Sequence, residues 1–278
     1  MHEIKDISPE KNLNSFSLFI GTGDCNANCG HCAGVPLRKY APKEDGIIDE
    51  AIIYRTIKNC YDAGARYLSL TSCGEPMLSP LSVTKTLNLV KKCENEEGIK
   101  FSPINIYSNG IRIGEDKKFC DEHLSLWHDC GLTTFYITVH SIDMKKNAEV
   151  YQVNNYPPLE KILSRIHNSS MKVRGNIVLS KKTVSTFEEF VSTVNHLEKI
   201  GIDSISSWPI RGQEDDKVDY INGPSEKELD KMENWINENK DIKIKVKVLR
   251  EKDHAKYEKK EKLTLFPNGI LSSTWCNH

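Results

Sequence analysis

The chain has 278 residues, enough for two domains of about 150 residues each or for one α/β barrel. Its 38 Lys and Arg residues balance 39 Asp and Glu residues for a net charge of -1, so no global basic field marks nucleic acid or an anionic membrane as the main partner. Charged residues at 28% and hydrophobic ones at 38% describe a globular chain; no run approaches the roughly 18 apolar residues of a membrane span, and the charged stretch MHEIKDISPEKNLN is unlike a signal peptide, so a cytoplasmic protein is expected.

Strand and helix signals alternate along the chain. A strand over 16–20 is followed by a helix over 49–63, a strand over 67–71 by a helix over 80–97, and a strand over 104–107 by a helix over 115–130. The pattern repeats with a strand over 135–139 and a helix over 158–169, a strand over 173–179 and a helix over 185–200, and a strand over 204–208 and a helix over 225–239. Gly64, Gly98, Gly131 and Gly201 stand where helices end, Ser79-Pro80 fits a helix start, and Ser185 with Glu188 and Ser225 with Glu228 fit capping boxes. Beyond residue 240, Ile242, Ile244, Val246 and Val248 alternate with lysines as an edge strand would. The charged stretch REKDHAKYEKKEK reads as a solvated surface loop or helix, and Pro267-Asn268-Gly269 marks a hairpin.

Six βα units must pair their strands in parallel through right-handed crossovers, which implies an open doubly wound sheet or a full or partial barrel. Strand polarity chooses between them. One face collects Ile104, Ile106, Phe135, Ile137, Val139, Val173, Ile177, Leu179 and Ile205. The other collects Ser69, Thr71, Asn105, Tyr107, Tyr136, Thr138, His140, Arg174, Asn176, Ser204, Ser206 and Trp208. A polar face shared by successive parallel strands is the lining of a cavity. The expected fold is therefore α/β, a partial (βα)6 TIM-like barrel over 15–211, with an N-terminal segment over 1–14 and a small C-terminal α/β extension or lid over 212–278.

Nine cysteines occur, at positions 25, 29, 32, 60, 73, 93, 120, 130 and 276; an odd number without an export signal points to reduced thiols, some of them metal ligands. GTGDCNANCGHCAG sets Cys25, Cys29 and Cys32 as C-x3-C-x2-C directly after the first strand. Three thiolates on one loop hold three corners of a 4Fe-4S cubane and leave one iron open to a ligand. Structural zinc with a remote fourth ligand and unconnected buried cysteines are the plainer readings. His31, next to Cys32, is badly placed to complete a zinc tetrahedron.

Motif and position together resemble the radical S-adenosylmethionine (radical SAM) superfamily over roughly 15–211. The resemblance implies one 4Fe-4S cluster on Cys25, Cys29 and Cys32, with SAM on the open iron through its amino and carboxylate groups. One electron from the cluster then cleaves SAM to methionine and a 5′-deoxyadenosyl radical that abstracts hydrogen. His31, in the family's usually aromatic position before the third cysteine, is implied to lie near the adenine. Cys73-Gly74-Glu75-Pro76 is similar to the family's G-G-E-P segment, whose backbone and carboxylate receive the SAM amino group; Cys73 departs from the usual glycine. Ser108-Asn109-Gly110 resembles its T-N-G turn, although a plain strand-to-helix turn also explains it. Ser141 and Arg174 stand where the family binds the SAM carboxylate, with Asn176 on the same face as Arg174; a structural salt bridge of Arg174 with Glu75 or another carboxylate is the alternative. Trp208 is placed to flank the adenine or to fill core.

The remaining cysteines are scattered, so a single cluster is expected. LTLFPNGILSSTWC resembles the entry to the auxiliary-cluster extensions of peptide-modifying maturases without their further cysteines. Cys276 is a candidate hydrogen-atom donor or substrate contact, and Arg211 with the acidic segment 213–219 a candidate for the cavity mouth. The leading expectation is hydrogen abstraction from a polar small molecule, nucleotide-like or sugar-like, with an electron donor such as flavodoxin or ferredoxin. The alternatives are a peptide- or protein-modifying enzyme, including a glycyl-radical activase, and a non-catalytic zinc-binding α/β module.

Overall fold

In the computed structural model, which describes residues 12–212, 217–251, 253 and 262–273, six strands fall within one residue of their expected bounds. They are β1 (Ser15–Phe19), β2 (Tyr67–Thr71), β3 (Ile104–Ser108), β4 (Thr134–Val139), β5 (Lys172–Leu179) and β6 (Ser204–Pro209). Helices α1 (Glu50–Asp62), α2 (Pro80–Glu97), α4 (Lys117–Asp129), α6 (Leu159–His167) and α7 (Phe187–Lys199) link them, and α8 (Glu226–Glu238) follows β6. Two helices were not expected: α3 (Ile111–Glu115), and α5 (Met144–Tyr151), which is opened by the Asp143 carboxylate accepting from the Lys145 and Lys146 amides.

Two capping assignments shift. The box that opens α7 is Thr186 with Glu189, one residue beyond the expected pair, because Glu189 accepts from the amides of both Ser185 and Thr186. Ser225 does cap α8, but Glu228 turns away to accept from the Phe187 amide and ties α8 to the start of α7. Ser79 precedes α2 as expected, while the cap itself is the remote Asp45, whose carboxylate accepts from the Leu81 and Ser82 amides at 2.9 Å each.

The C-terminal strands join both ends of the sheet. Its order is β7-β6-β5-β4-β3-β2-β1-β8-β9, with β7 (Lys245–Val248) beside β6 and β8 (Lys262–Leu265) parallel to β1. Among the described strands only the short hairpin to β9 (Leu271–Ser272) is antiparallel. Register separates two faces. Phe16, Leu68 and Ile104 are in line, as are Phe135 and Val173, and these buried side chains meet Ile57, Leu87, Trp127 and Phe190 in one helix-facing core. Each such side chain contributes about 1.5–3 kcal/mol by leaving water. On the opposite face Ser17, Ser69 and Asn105 are in line, as are Tyr107, Tyr136, Arg174 and Ser204, and as are Thr138, Asn176 and Ser206.

That polar face is concave. Five inter-strand steps of about 4.8 Å would put β5 roughly 24 Å from β8 in a flat sheet, yet the charge of Arg174 on β5 weighs on Lys262 on β8. The sheet therefore curls into a partial barrel whose polar face is its lumen. Among the described residues, no helix is long and apolar enough to cross a membrane.

Candidate active site

The loop after β1 is held by the turns that end its neighbours. The Thr22 amide donates to Ser79 Oγ at 3.1 Å, and the Glu75 amide to the Asp24 carbonyl at 2.8 Å. Backbone lies directly on backbone here: a Cβ on Gly74 would sit 2.1 Å from the Asp24 carbonyl oxygen, and one on Gly34 would sit 2.6 Å from that of Cys73. Only glycine fits such approaches. From the β3 side Asn109 Nδ2 donates to Asn26 Oδ1 at 2.7 Å and lies 3.9 Å from Cys25 Sγ. From α5 the Tyr151 carbonyl accepts from the Asn28 amide at 2.8 Å.

Cys25, Cys29 and Cys32 are half-buried on this loop. Burial, then the neighbouring thiols, push the Cys29 thiol up to about 12; burial raises Cys25 as well. Such thiols ionise only for a group that brings positive charge, as iron does. Among the described residues no three Cys, His, Asp or Glu side chains are gathered closely enough for a single metal ion. The donor set fits a larger polynuclear group: three sulfurs on one loop clamped by glycine contacts.

Glu75 joins β2 to β3. Fully buried, it accepts from Ser108 Oγ at 2.7 Å, the Asn109 amide at 2.7 Å and the Met77 amide at 3.1 Å. Desolvation outweighs these bonds and raises its carboxyl to about 7. No ion pair with Arg174 forms, so that alternative is set aside: both Glu75 oxygens are taken up by the turns. Pro76 opens the short 3-10 turn that follows.

His31 meets His140 edge to face at 5.0 Å, and His140 meets Tyr151 at 4.7 Å. Buried His140 is held neutral, its pKa lowered to about 3 by burial and by His31, and its Nε2 has no hydrogen-bond partner. Ser141, also buried, accepts from the Asp143 amide through Oγ at 3.1 Å, which leaves its O–H to donate. The motif residues from 25 to 141 thus converge at the C-terminal ends of β1 to β4, the face on which barrel enzymes place chemistry.

Arg174, Asn176 and Trp208 lie on the lumen face of β5 and β6. Arg174 Nε donates to Asn176 Oδ1 at 3.1 Å, and the guanidinium lies over the Tyr136 ring at 4.1 Å. Arg211 pairs with Glu251 at 3.4 Å. Cys276 and most of the acidic segment, residues 213–216, lie outside the described residues. Sequence reasoning put His140 on the cavity face without giving it a role, and missed Tyr151 and Lys262. Lys262, the last residue of the charged stretch read as solvated surface, opens β8 on the lumen face; the alternation Lys-Leu-Thr-Leu was the available signal.

Comparison with known proteins decides the family. The model of the radical SAM superfamily matches residues 19–222. The chain belongs to that superfamily. It is a radical SAM enzyme, for which the family implies a 4Fe-4S cluster and SAM, and the zinc-module alternative falls away. Its curated relatives include a GTP 3′,8-cyclase of Haemophilus influenzae, 24% identical over 63% of this chain and 48% of the relative. The molybdenum cofactor biosynthesis protein moc-5 of Caenorhabditis elegans is 26% identical over 72% of this chain and 31% of the relative. The radical SAM chain thus spans between about a third and a half of these two proteins. Among solved structures, Streptococcus suis SuiB bound to the precursor peptide SuiA superposes with a TM-score of 0.65 at 15% identity, over 95% of this chain and 60% of that one. The likeness to SuiB shows the radical SAM fold.

Proposed function

We propose that this radical SAM enzyme abstracts hydrogen from a polar small molecule, nucleotide-like or sugar-like, held in the barrel lumen. The observation that carries the reading is the polar lumen face, on which Ser17, Ser69, Asn105 and Thr134 lie in one row of the register and Tyr107, Tyr136, Arg174 and Ser204 in the next. A surface lined by serine, asparagine and tyrosine side chains satisfies a ligand rich in hydroxyl and amide groups. The GTP 3′,8-cyclase relatives, named for a nucleotide, support the same reading. SuiB, at 15% identity, supports the fold alone and gives the peptide alternative no weight.

On this reading Cys25, Cys29 and Cys32 hold one cluster; Cys60, Cys93 and Cys120 are buried in the helices, and Cys73 lies in the turn after β2. Cluster and SAM together supply a 5′-deoxyadenosyl radical. The turn at Cys73-Gly74-Glu75-Pro76 receives the SAM amino group, through its backbone and the remaining Glu75 lone pair. The Ser141 hydroxyl donates to the SAM carboxylate. His31 and Trp208 flank the adenine, and the Ser108-Asn109 turn fixes Glu75 and the cysteine loop relative to one another. An electron donor such as flavodoxin or ferredoxin would supply the electron. Arg174 is assigned differently from the family pattern, because its charge weighs on a second lumen cation, Lys262.

The test is anaerobic reconstitution with SAM, dithionite and deuterated candidates of both kinds. Deuterium appearing in 5′-deoxyadenosine from a nucleotide or sugar derivative is the expected result. Label arriving solely from peptides would overturn the small-molecule reading.

A further inference from the structure

Among the described residues none of the nine strands contains an aspartate or a glutamate, whereas five strand residues are cationic: Lys172, Arg174, Lys245, Lys247 and Lys262. Register places all five on the lumen face. Lys172 is level with Thr134, Arg174 with Tyr136, Lys245 with Ser204, Lys247 with Ser206, and Lys262 with Ser15. A chain of net charge -1 has thus put every charge of its described strands on one side with one sign.

Arg174 and Lys262 are the half-buried pair among them that feel one another. The guanidinium is fixed from two sides, by the Tyr136 ring beneath it and by Asn176 Oδ1 on Nε, which leaves its two terminal nitrogens for a ligand. Among the described residues neither cation has a carboxylate partner. Burial and then Arg174 push the Lys262 amine down, the mark of two like charges sharing a partly dry space. Holding them together without a counter-charge costs stability that a bound anion recovers. A second observation points to a ligand as well: Asn105, on the same face and 3% exposed, has an Oδ1 with no hydrogen-bond partner. An unpaired buried acceptor of this kind wants a hydroxyl or amino donor.

We propose that Arg174 and Lys262 form a subsite in the lumen for an oxyanion of the substrate, a phosphate or a carboxylate, on a molecule that also presents a hydroxyl or amino donor to Asn105. The inference rests on the small-molecule reading above and narrows it to anionic substrates. Arg174 supplies the planar fork that grips two oxygens at once, and Lys262 a point charge from the opposite wall.

Binding tests this without turnover, so the result stands apart from the labelling experiment. Reconstituted holoenzyme is titrated calorimetrically with pyrophosphate, with malonate and, separately, with SAM. The wild type binds one of the two anionic probes, and the tighter probe tells phosphate from carboxylate. Lys262→Gln weakens that probe by about tenfold or more, as loss of one partner from a buried charge cluster does, while Lys262→Arg restores it. Arg174→Lys, which keeps the charge and the fold, weakens the probe as well by removing the fork. SAM affinity is the same in wild type and Lys262→Gln. Two results overturn the proposal: probe affinity unmoved by both Lys262→Gln and Arg174→Lys, or a loss confined to SAM, which would give the pair to the cofactor's carboxylate.

Discussion

Glu75 combines two requirements that pull its proton in opposite directions. Three donors stabilise its carboxylate, yet complete burial holds its carboxyl up at about 7, against the ordinary value of 4.5. The unfolded chain ionises from pH 4.5 upward while the folded one keeps this proton until about 7. Glu75 therefore contributes stability that is fully present below pH 4.5 and lost as pH rises through 7. Wild type should lose on the order of 3 kcal/mol relative to Glu75→Gln across that interval and nothing further above it. Urea unfolding of both reduced proteins from pH 4.5 to 8 checks the effect, and parallel profiles would contradict it. The residue was legible in the sequence as part of a G-E-P turn. Its bonds to Ser108 and Asn109 were not, because they join positions more than thirty residues apart through the pairing of β2 and β3.

Among elements, the cysteine loop behaves as the fourth side of a frame made by the turns after β2 and β3 and by the end of α5. The glycine contacts make the frame testable. Gly74→Ala forces a Cβ to within 2.1 Å of the Asp24 carbonyl oxygen, and backbone on both sides leaves little to yield. It should cost about 1–3 kcal/mol or more and displace the loop, so that iron retained after anaerobic gel filtration falls well below the wild-type content. Gly98→Ala is the control: nothing lies within 4 Å, and its φ of +69° makes the substitution cost about 1 kcal/mol through backbone strain alone, with iron content unchanged. Equal iron loss in both variants would show that general destabilisation, not the clamp, governs the site. The strands of this frame were readable because a period of two is written into residues such as Phe135, Ile137 and Val139. Helix α5 escaped because its start signal, Asp143, lies in a polar run with little apolar periodicity. The placement of β8 beside β1 escaped for a different reason: four residues carry a face pattern but not the identity of a neighbour some 250 positions away.

At the scale of the whole molecule, near-neutrality and a cationic lumen have separable consequences. A net charge of -1 offers an approaching anion no long-range attraction, while the pair at Arg174 and Lys262 acts only at short range inside the barrel. Salt screens exposed charges over about 10 Å at 0.1 M and partly buried ones far less. The association rate of the anionic probe should therefore change by no more than about threefold between roughly 0.05 and 0.3 M salt, well short of the decades seen for electrostatically steered encounters. The loss caused by Lys262→Gln should then appear mainly in the dissociation rate, because the contact is made after entry. Stopped-flow mixing of holoenzyme with the probe at several ionic strengths measures both rates. A tenfold fall in the association rate with salt would mean that anions are gathered by surface lysines on the outside of the barrel, and the one-signed lumen would no longer explain which ligands are selected.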